Sequence, residues 1–179
     1  MLKTKLHRPS LTREHVLRPR LMDRFEKNWY KPLSLVCAPA GYGKSMLISS
    51  FLENSKLRYV WISLSESENE PKVFLNCLKT AIENSFPNAL SEFADLIQLA
   101  KLPAIELLAD TLINELDQIT EDFVLVLDDY HLIHDENIHS LLDTWLRFPP
   151  SRVHLVISTR LDPPLKLNKL KLHNRINEI

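Results

Sequence analysis

Apolar positions along this chain fall into short unbroken runs separated by stretches with helical spacing. Leu33 to Cys37, Arg58 to Leu64, Phe123 to Leu127 and Val153 to Ile157 have strand length, and runs that are apolar without alternation belong to strands covered on both faces. Between them, Lys44 to Leu52 carries Met46, Leu47, Ile48, Phe51 and Leu52 at helical intervals. Pro71, well suited to a first helical turn, opens a pattern that reaches about Phe86. A further helix is predicted over Pro103 to Ile119, with Ile105, Leu108, Leu112, Leu116 and Ile119 on one face. His139 to Phe148 and Pro163 to Lys171 complete the helices, and Ile176 to Ile179 is expected as a last strand. Residues 1–32 read as a basic arm broken by Pro9, Pro19 and Pro32, with a short helix over Leu21 to Trp29. Strands alternating with helices predict a doubly wound α/β domain whose ligands sit beyond the carboxyl ends of the strands.

Composition narrows this picture in two ways. The chain has 179 residues, 45% of them hydrophobic and 25% charged, which is the size and balance of one globular domain with a real core. Its formal net charge of -1 gives no global reason to expect nucleic acid or an anionic membrane as partner, and no apolar run approaches the roughly 18 residues of a membrane span. Cys37 and Cys77 lie in apolar stretches and suggest a reduced, cytoplasmic setting rather than a disulfide framework. Glycine usage is the informative count: average composition predicts about a dozen, whereas the chain has 2, Gly41 and Gly43. Turns elsewhere must use Asn, Asp, Ser and Pro, so both glycines are concentrated where a ligand needs close approach to the backbone.

Both lie in Ala38-Pro39-Ala40-Gly41-Tyr42-Gly43-Lys44-Ser45, a loop between a strand and a helix. Such a loop offers unhindered N–H groups, a helix N-terminus and a cation, which is what a polyphosphate requires. Ala40 to Met46 are the expected cradle, with Lys44 reaching the β- and γ-phosphates and Ser45 offering its hydroxyl to Mg2+. Ala38 stands where the generic phosphate-loop pattern has glycine. Asp128 ends an apolar strand as the second expected magnesium partner, and Asp129 follows it as the group to polarise an attacking water. Arg160, just past the next buried strand, is placed to sense the terminal phosphate. Val16, Arg18 and Arg20 lie in the arm, where Val16 or Leu17 could pack on the base. His131, His134 and His139 include an H-x-x-H spacing, but they flank a loop entering a helix and no further ligand is spaced for tetrahedral zinc.

The order of these blocks resembles one family. The arm motifs with Leu2 to Leu6, Arg8-Pro9 and Val16 to Leu21, the A-P-A-G-Y-G-K-S loop, V-W-I-S-L at Val60 to Leu64, L-V-L-D-D-Y-H-L-I at Leu125 to Ile133, and Ser158-Thr159-Arg160 before Asp162-Pro163-Pro164 are similar to the nucleotide-binding domain of MalT-like, LuxR-type transcriptional activators. These belong to the signal-transduction ATPases with numerous domains. The resemblance implies a P-loop NTPase α/β/α sandwich with parallel strand order 5-1-4-3-2. It further implies an ATP/ADP switch with slow hydrolysis and self-association in the ATP state, in which the arm contacts base and phosphates. Inducer and DNA would be bound by downstream domains, so the chain reads as a fragment of a regulator, with no membrane partner. Two other classes compete with the switch. A small-molecule kinase would want an arginine-rich lid where Pro87 to Leu102 is apolar and acidic, and an inert interaction module would keep the fold without binding nucleotide.

Overall fold

The computed structural model describes residues 3–11, 16 and 18–179; Leu2, Arg13 and Leu17 of the arm lie outside them. All five expected strands form: β1 (Leu33–Cys37), β2 (Arg58–Ser63), β3 (Phe123–Asp128), β4 (Val153–Thr159) and β5 (Ile176–Glu178). They pair in parallel in the order β2-β3-β4-β1-β5, which is the expected 5-1-4-3-2 read from the other edge. The register aligns Val60, Leu125, Leu155, Leu33 and Ile176 in one apolar row across the sheet. Because successive side chains of a strand point to opposite faces, Leu125 and Leu127 serve one core while Val124 and Val126 serve the other.

Helices α1 (Pro19–Asn28) and α2 (Lys44–Ser55) cover the second face, and α3 (Pro71–Ser85), α4 (Ser91–Gln98), α5 (Ile105–Asp117), α6 (Glu136–Arg147) and α7 (Asn168–Leu172) cover the first. α1 is bolted to α2 by Phe25 stacked on Phe51, ring centroids 4.7 Å apart, both fully buried. The arm's Lys3–Leu6 turn rests against β2. Lys5 Nζ donates to both carboxylate oxygens of the buried Glu68 at 2.8 Å, and Arg8 binds Tyr59 Oη, Ser49 O and Glu53.

Three elements differ from the pattern reading. α4 lies in the apolar and acidic stretch Pro87 to Leu102, for which the pattern predicts no element; it forms because the buried Glu115 of α5 accepts the N–H groups of Glu92 (2.9 Å) and Phe93 (3.0 Å), satisfying donors that no local residue caps. α6 starts at Glu136 rather than His139, since the Asp135 carboxylate accepts from Asn137 N and Ile138 N. The last helix shrinks to Asn168–Leu172, because the N–H groups of Leu165, Lys166 and Leu167 donate to Pro163 O (2.7 Å), Asp143 Oδ1 (2.7 Å) and Leu165 O (2.8 Å) and not to helical partners. With glycine confined to the loop, the other left-handed positions fall on Lys56, Asn88, Asp129 and Asn174.

One buried polar row ties the strands together. The neutral His154 ring donates from Nδ1 to Lys31 O and accepts at Nε2 from Ser34 Oγ (3.1 Å), while Asn177 Nδ2 donates to the same hydroxyl at 3.0 Å. Burial pushes the His154 imidazole down to about 4. No helix among the described residues is long and apolar enough to cross a membrane.

Candidate nucleotide site

β1 ends at Cys37, and the chain turns away with Ala38 N still bonded to Thr159 O at 3.2 Å. Gly41 (φ +81°) and Gly43 (φ +75°) then take left-handed conformations that a Cβ disfavours. Gly43 is the N-cap of α2, and no side chain caps that helix. Its first N–H groups therefore point out of the loop, where the helix dipole favours an anion. Ala40, Gly41 and Tyr42 are exposed, Ser45 and Met46 half-buried. Lys44 is 8% exposed, and its ammonium donates to Ala38 O (2.8 Å) and Pro39 O (3.2 Å), so the cation is held inside the loop that bears it.

Asp128, 4% exposed at the end of β3, faces this loop. Burial raises its pKa; the hydroxyls of Ser158 and Ser45 and the N–H of Asp129 (3.1 Å) oppose that rise, and the Asp129 charge adds to it. The buried Ser158 Oγ lies beside the carboxylate yet lacks a partner in hydrogen-bond geometry. Ser45 and Asp128 thus bring oxygen donors together at the mouth of an anion site, a set that suits Mg2+ completed by phosphate and water oxygens. Among the described residues no cluster of three or more His, Cys, Asp or Glu could hold a metal by itself.

Asp129 stands in left-handed backbone at φ +58°, an uncommon conformation for a residue with a Cβ, and its carboxylate is 40% exposed. His131, which the sequence reading weighed for zinc, turns into this site. Its Nδ1 is 3.8 Å from Asp129 Oδ1 and is buried without a hydrogen-bond partner. Burial, then the Arg160 cation and that of Lys44, hold the ring neutral against the pull of Asp129 and Asp128. Lys44, Asp128, Asp129, His131 and Arg160 therefore share one electrostatic neighbourhood. The signal for His131 was its place three residues after Asp128, which periodicity gives no reason to weigh. His139 goes elsewhere, with Nδ1 2.7 Å from Tyr130 Oη inside the core.

On the other side of the loop, Arg18 Nη2 lies 3.8 Å from where a Cβ on Gly43 would stand. A cavity of about 190 Å³ opens there between arm and α2, lined by Val16, Arg18, Met22, Gly43, Met46, Leu47 and Ser50. Arg20 is exposed on α1 and does not line it. Met22, Leu47 and Ser50 were not anticipated, because only the docking of α1 on α2 brings them together.

A family model described as an AAA domain matches residues 29–161, a span that includes the loop, Asp128, Asp129 and Arg160. The chain belongs to the AAA domain family. Within it, this AAA domain is MalT-like along its whole length. It is 32% identical over 178 residues to the HTH-type transcriptional regulator MalT of Vibrio cholerae serotype O1, covering 99% of this chain and 20% of that protein. It is 32% identical over 180 residues to the regulator of the same name from Yersinia enterocolitica serotype O:8, covering 100% and 20%. The chain thus spans about a fifth of the length of these curated relatives. Among solved structures, Cdc6p from Pyrobaculum aerophilum matches with a TM-score of 0.58 at 14% identity over 96% of this chain and 46% of that one. A Walker-type ATPase of Pyrococcus abyssi matches with 0.53 at 17%, over 85% and 47%. At such identities these two speak for the P-loop fold of the AAA domain and nothing finer.

Proposed function

We propose that this AAA domain is the Mg-ATP/ADP-binding switch of a MalT-type transcriptional regulator, hydrolysing ATP slowly and self-associating in the ATP-bound form of the whole protein. The observation that carries the reading is the meeting of the Lys44 ammonium, the uncapped start of α2 and the Ser45–Asp128 oxygen pair at one point. In this reading the Ala40–Ser45 backbone and Met46 cradle the phosphates. Lys44 exchanges its carbonyl partners for phosphate oxygens, and Ser45 and Asp128 hold Mg2+. The metal, when bound, neutralises charge on the phosphates.

Asp129 orients and polarises the attacking water, with His131 beside it, and Arg160 reports the terminal phosphate. The exposure of Asp129 and the neutral, unpartnered His131 Nδ1 support a proton-handling pair on the solvent side of the buried Asp128. The arm, residues 1–32, covers the nucleotide: Val16 packs on the base over Met22 and Met46, Arg18 reaches toward the phosphates, and Arg20 contributes charge from α1. Inducer sensing and DNA binding fall to other segments of such a regulator. Titrating the Lys44→Ala variant with Mg-ATP by calorimetry tests the assignment. Loss of a charge-assisted contact of about 1.5–3 kcal/mol predicts affinity at least tenfold weaker, and undiminished binding would sink it.

A further inference from the structure

Buried charges in proteins are paired, because removing an isolated ion from water costs far more than neutral hydrogen bonds offset. Lys31 departs from that rule. It is 7% exposed, and its ammonium donates to two neutral acceptors, Asn174 Oδ1 (2.9 Å) and Ile176 O (3.2 Å). Among the described residues no carboxylate lies within ion-pairing distance of it, nor of Arg175, the residue between those two acceptors in the chain. Two cationic residues thus meet at the start of β5 with no counter-charge of their own. An ammonium has three N–H donors, so one of those on Lys31 is left for a further acceptor.

Both residues line a cavity of about 330 Å³ at the amino ends of the strands, the end opposite the nucleotide loop. Three distant segments build it, where the chain enters β1, β4 and β5. Trp29 (39% exposed), Tyr30 (71%), Pro149 and Pro150 give it flat apolar walls, and Arg152 adds a third cation. Against these cations stand Asp122, 3.4 Å from Arg152, and the C-terminal ends of α1 and α6, each equivalent to about half a negative charge. About one positive charge remains unmatched. We propose that this cavity binds a small aromatic carboxylate. The Arg175 fork and the third Lys31 N–H take the carboxylate, a planar group that a guanidinium matches in shape, and Trp29, Pro149 and Pro150 cover the ring. β1 spans five residues between this cavity and the phosphate loop, so the two sites lie roughly 15–20 Å apart. The cavity goes beyond the switch reading and does not require that reading to hold.

Benzoate serves as the probe, titrated into the whole chain by calorimetry and followed by tryptophan emission. A Kd of about 1 mM or tighter is expected, with benzyl alcohol, of similar shape and uncharged, at least about tenfold weaker. Emission should change on binding through Trp29, since Trp61 and Trp145 are each 1% exposed. Trp29→Phe should therefore abolish the emission change while calorimetric binding persists. Arg175→Gln, at an exposed position, should weaken benzoate at least about tenfold with the melting temperature unchanged. Lys31→Gln, which keeps donors for the two neutral acceptors, should do the same, and if it fails to fold Arg175→Gln decides alone. Lys44→Ala should bind benzoate as wild type does. No heat and no emission change up to about 10 mM benzoate overturns the proposal, as does equal affinity for benzyl alcohol or an Arg175→Gln chain that binds like wild type. So does an emission change that survives Trp29→Phe, or loss of benzoate binding in Lys44→Ala, since the acid would then sit elsewhere. A chain that binds benzoate as described yet binds no nucleotide keeps this site and loses the switch.

Discussion

The loops that follow β1 and β3 stand on either side of the end of β4 and face the same point, yet they reach it by different backbone solutions. After β1 the left-handed residues are Gly41 and Gly43, whose lack of a Cβ leaves the N–H groups open. After β3 the left-handed residue is Asp129, which keeps its side chain at a conformational cost. A glycine at positive φ serves backbone approach. A non-glycine there keeps a side chain projecting from that spot, which fits the proposed division in which the first loop binds and the second acts on what is bound.

Separating the two roles gives the largest expected effect. Asp129→Asn tolerates the same backbone but loses the carboxylate, so single-turnover hydrolysis should fall by about a hundredfold or more while nucleotide affinity in calorimetry is retained. A parallel loss of affinity would mean that both loops bind. This division was only half legible in the sequence. Gly41, Gly43, Lys44, Ser45 and Asp128 announce themselves by residue type at the end of an apolar run. The turn at Asp129 and the inward swing of His131 depend on a φ angle and a packing partner that no local pattern encodes. The same reason hid α4: its cap is Glu115, more than twenty residues downstream. The start of α6 was legible, since Asp135 precedes it as an ordinary N-cap, and was missed because the apolar period was weighed above the cap.

Acid should disable both loops together, because His154 sits on β4 between their strands. Its folded pKa, about 4, lies below the ordinary 6.5, so the unfolded chain binds the proton first. Stability is full above about pH 6.5 and declines as pH falls toward 4, by roughly 3 kcal/mol over that window. Urea unfolding of wild type and His154→Gln at pH 7 and pH 4.5 checks the sign: the variant should lose much of the slope. Smaller effects distinguish the loops again. Gly43→Ala should cost about 1–2 kcal/mol in thermal melts, since the added Cβ would meet Arg18 Nη2 at an ordinary 3.8 Å and the penalty is conformational. Asp129→Gly should move stability the opposite way, by roughly 0.5 kcal/mol, as relief of the left-handed residue outweighs the extra freedom of the unfolded chain. Destabilisation by Asp129→Gly would show that the carboxylate is structural.

The arm has a consequence apart from nucleotide. An open sheet has two edges whose unpaired backbone groups can recruit strands from other molecules. Here β5 spans three residues, whereas β2, at the other end, spans six and carries Tyr59, Val60, Trp61 and Ile62. The Lys3–Leu6 turn lies against that longer edge, pinned by Lys5 on Glu68 and Arg8 on Tyr59. The Lys3–Leu6 turn therefore stands where an added strand would approach β2, and colloidal behaviour during expression and refolding is where its removal would be felt first.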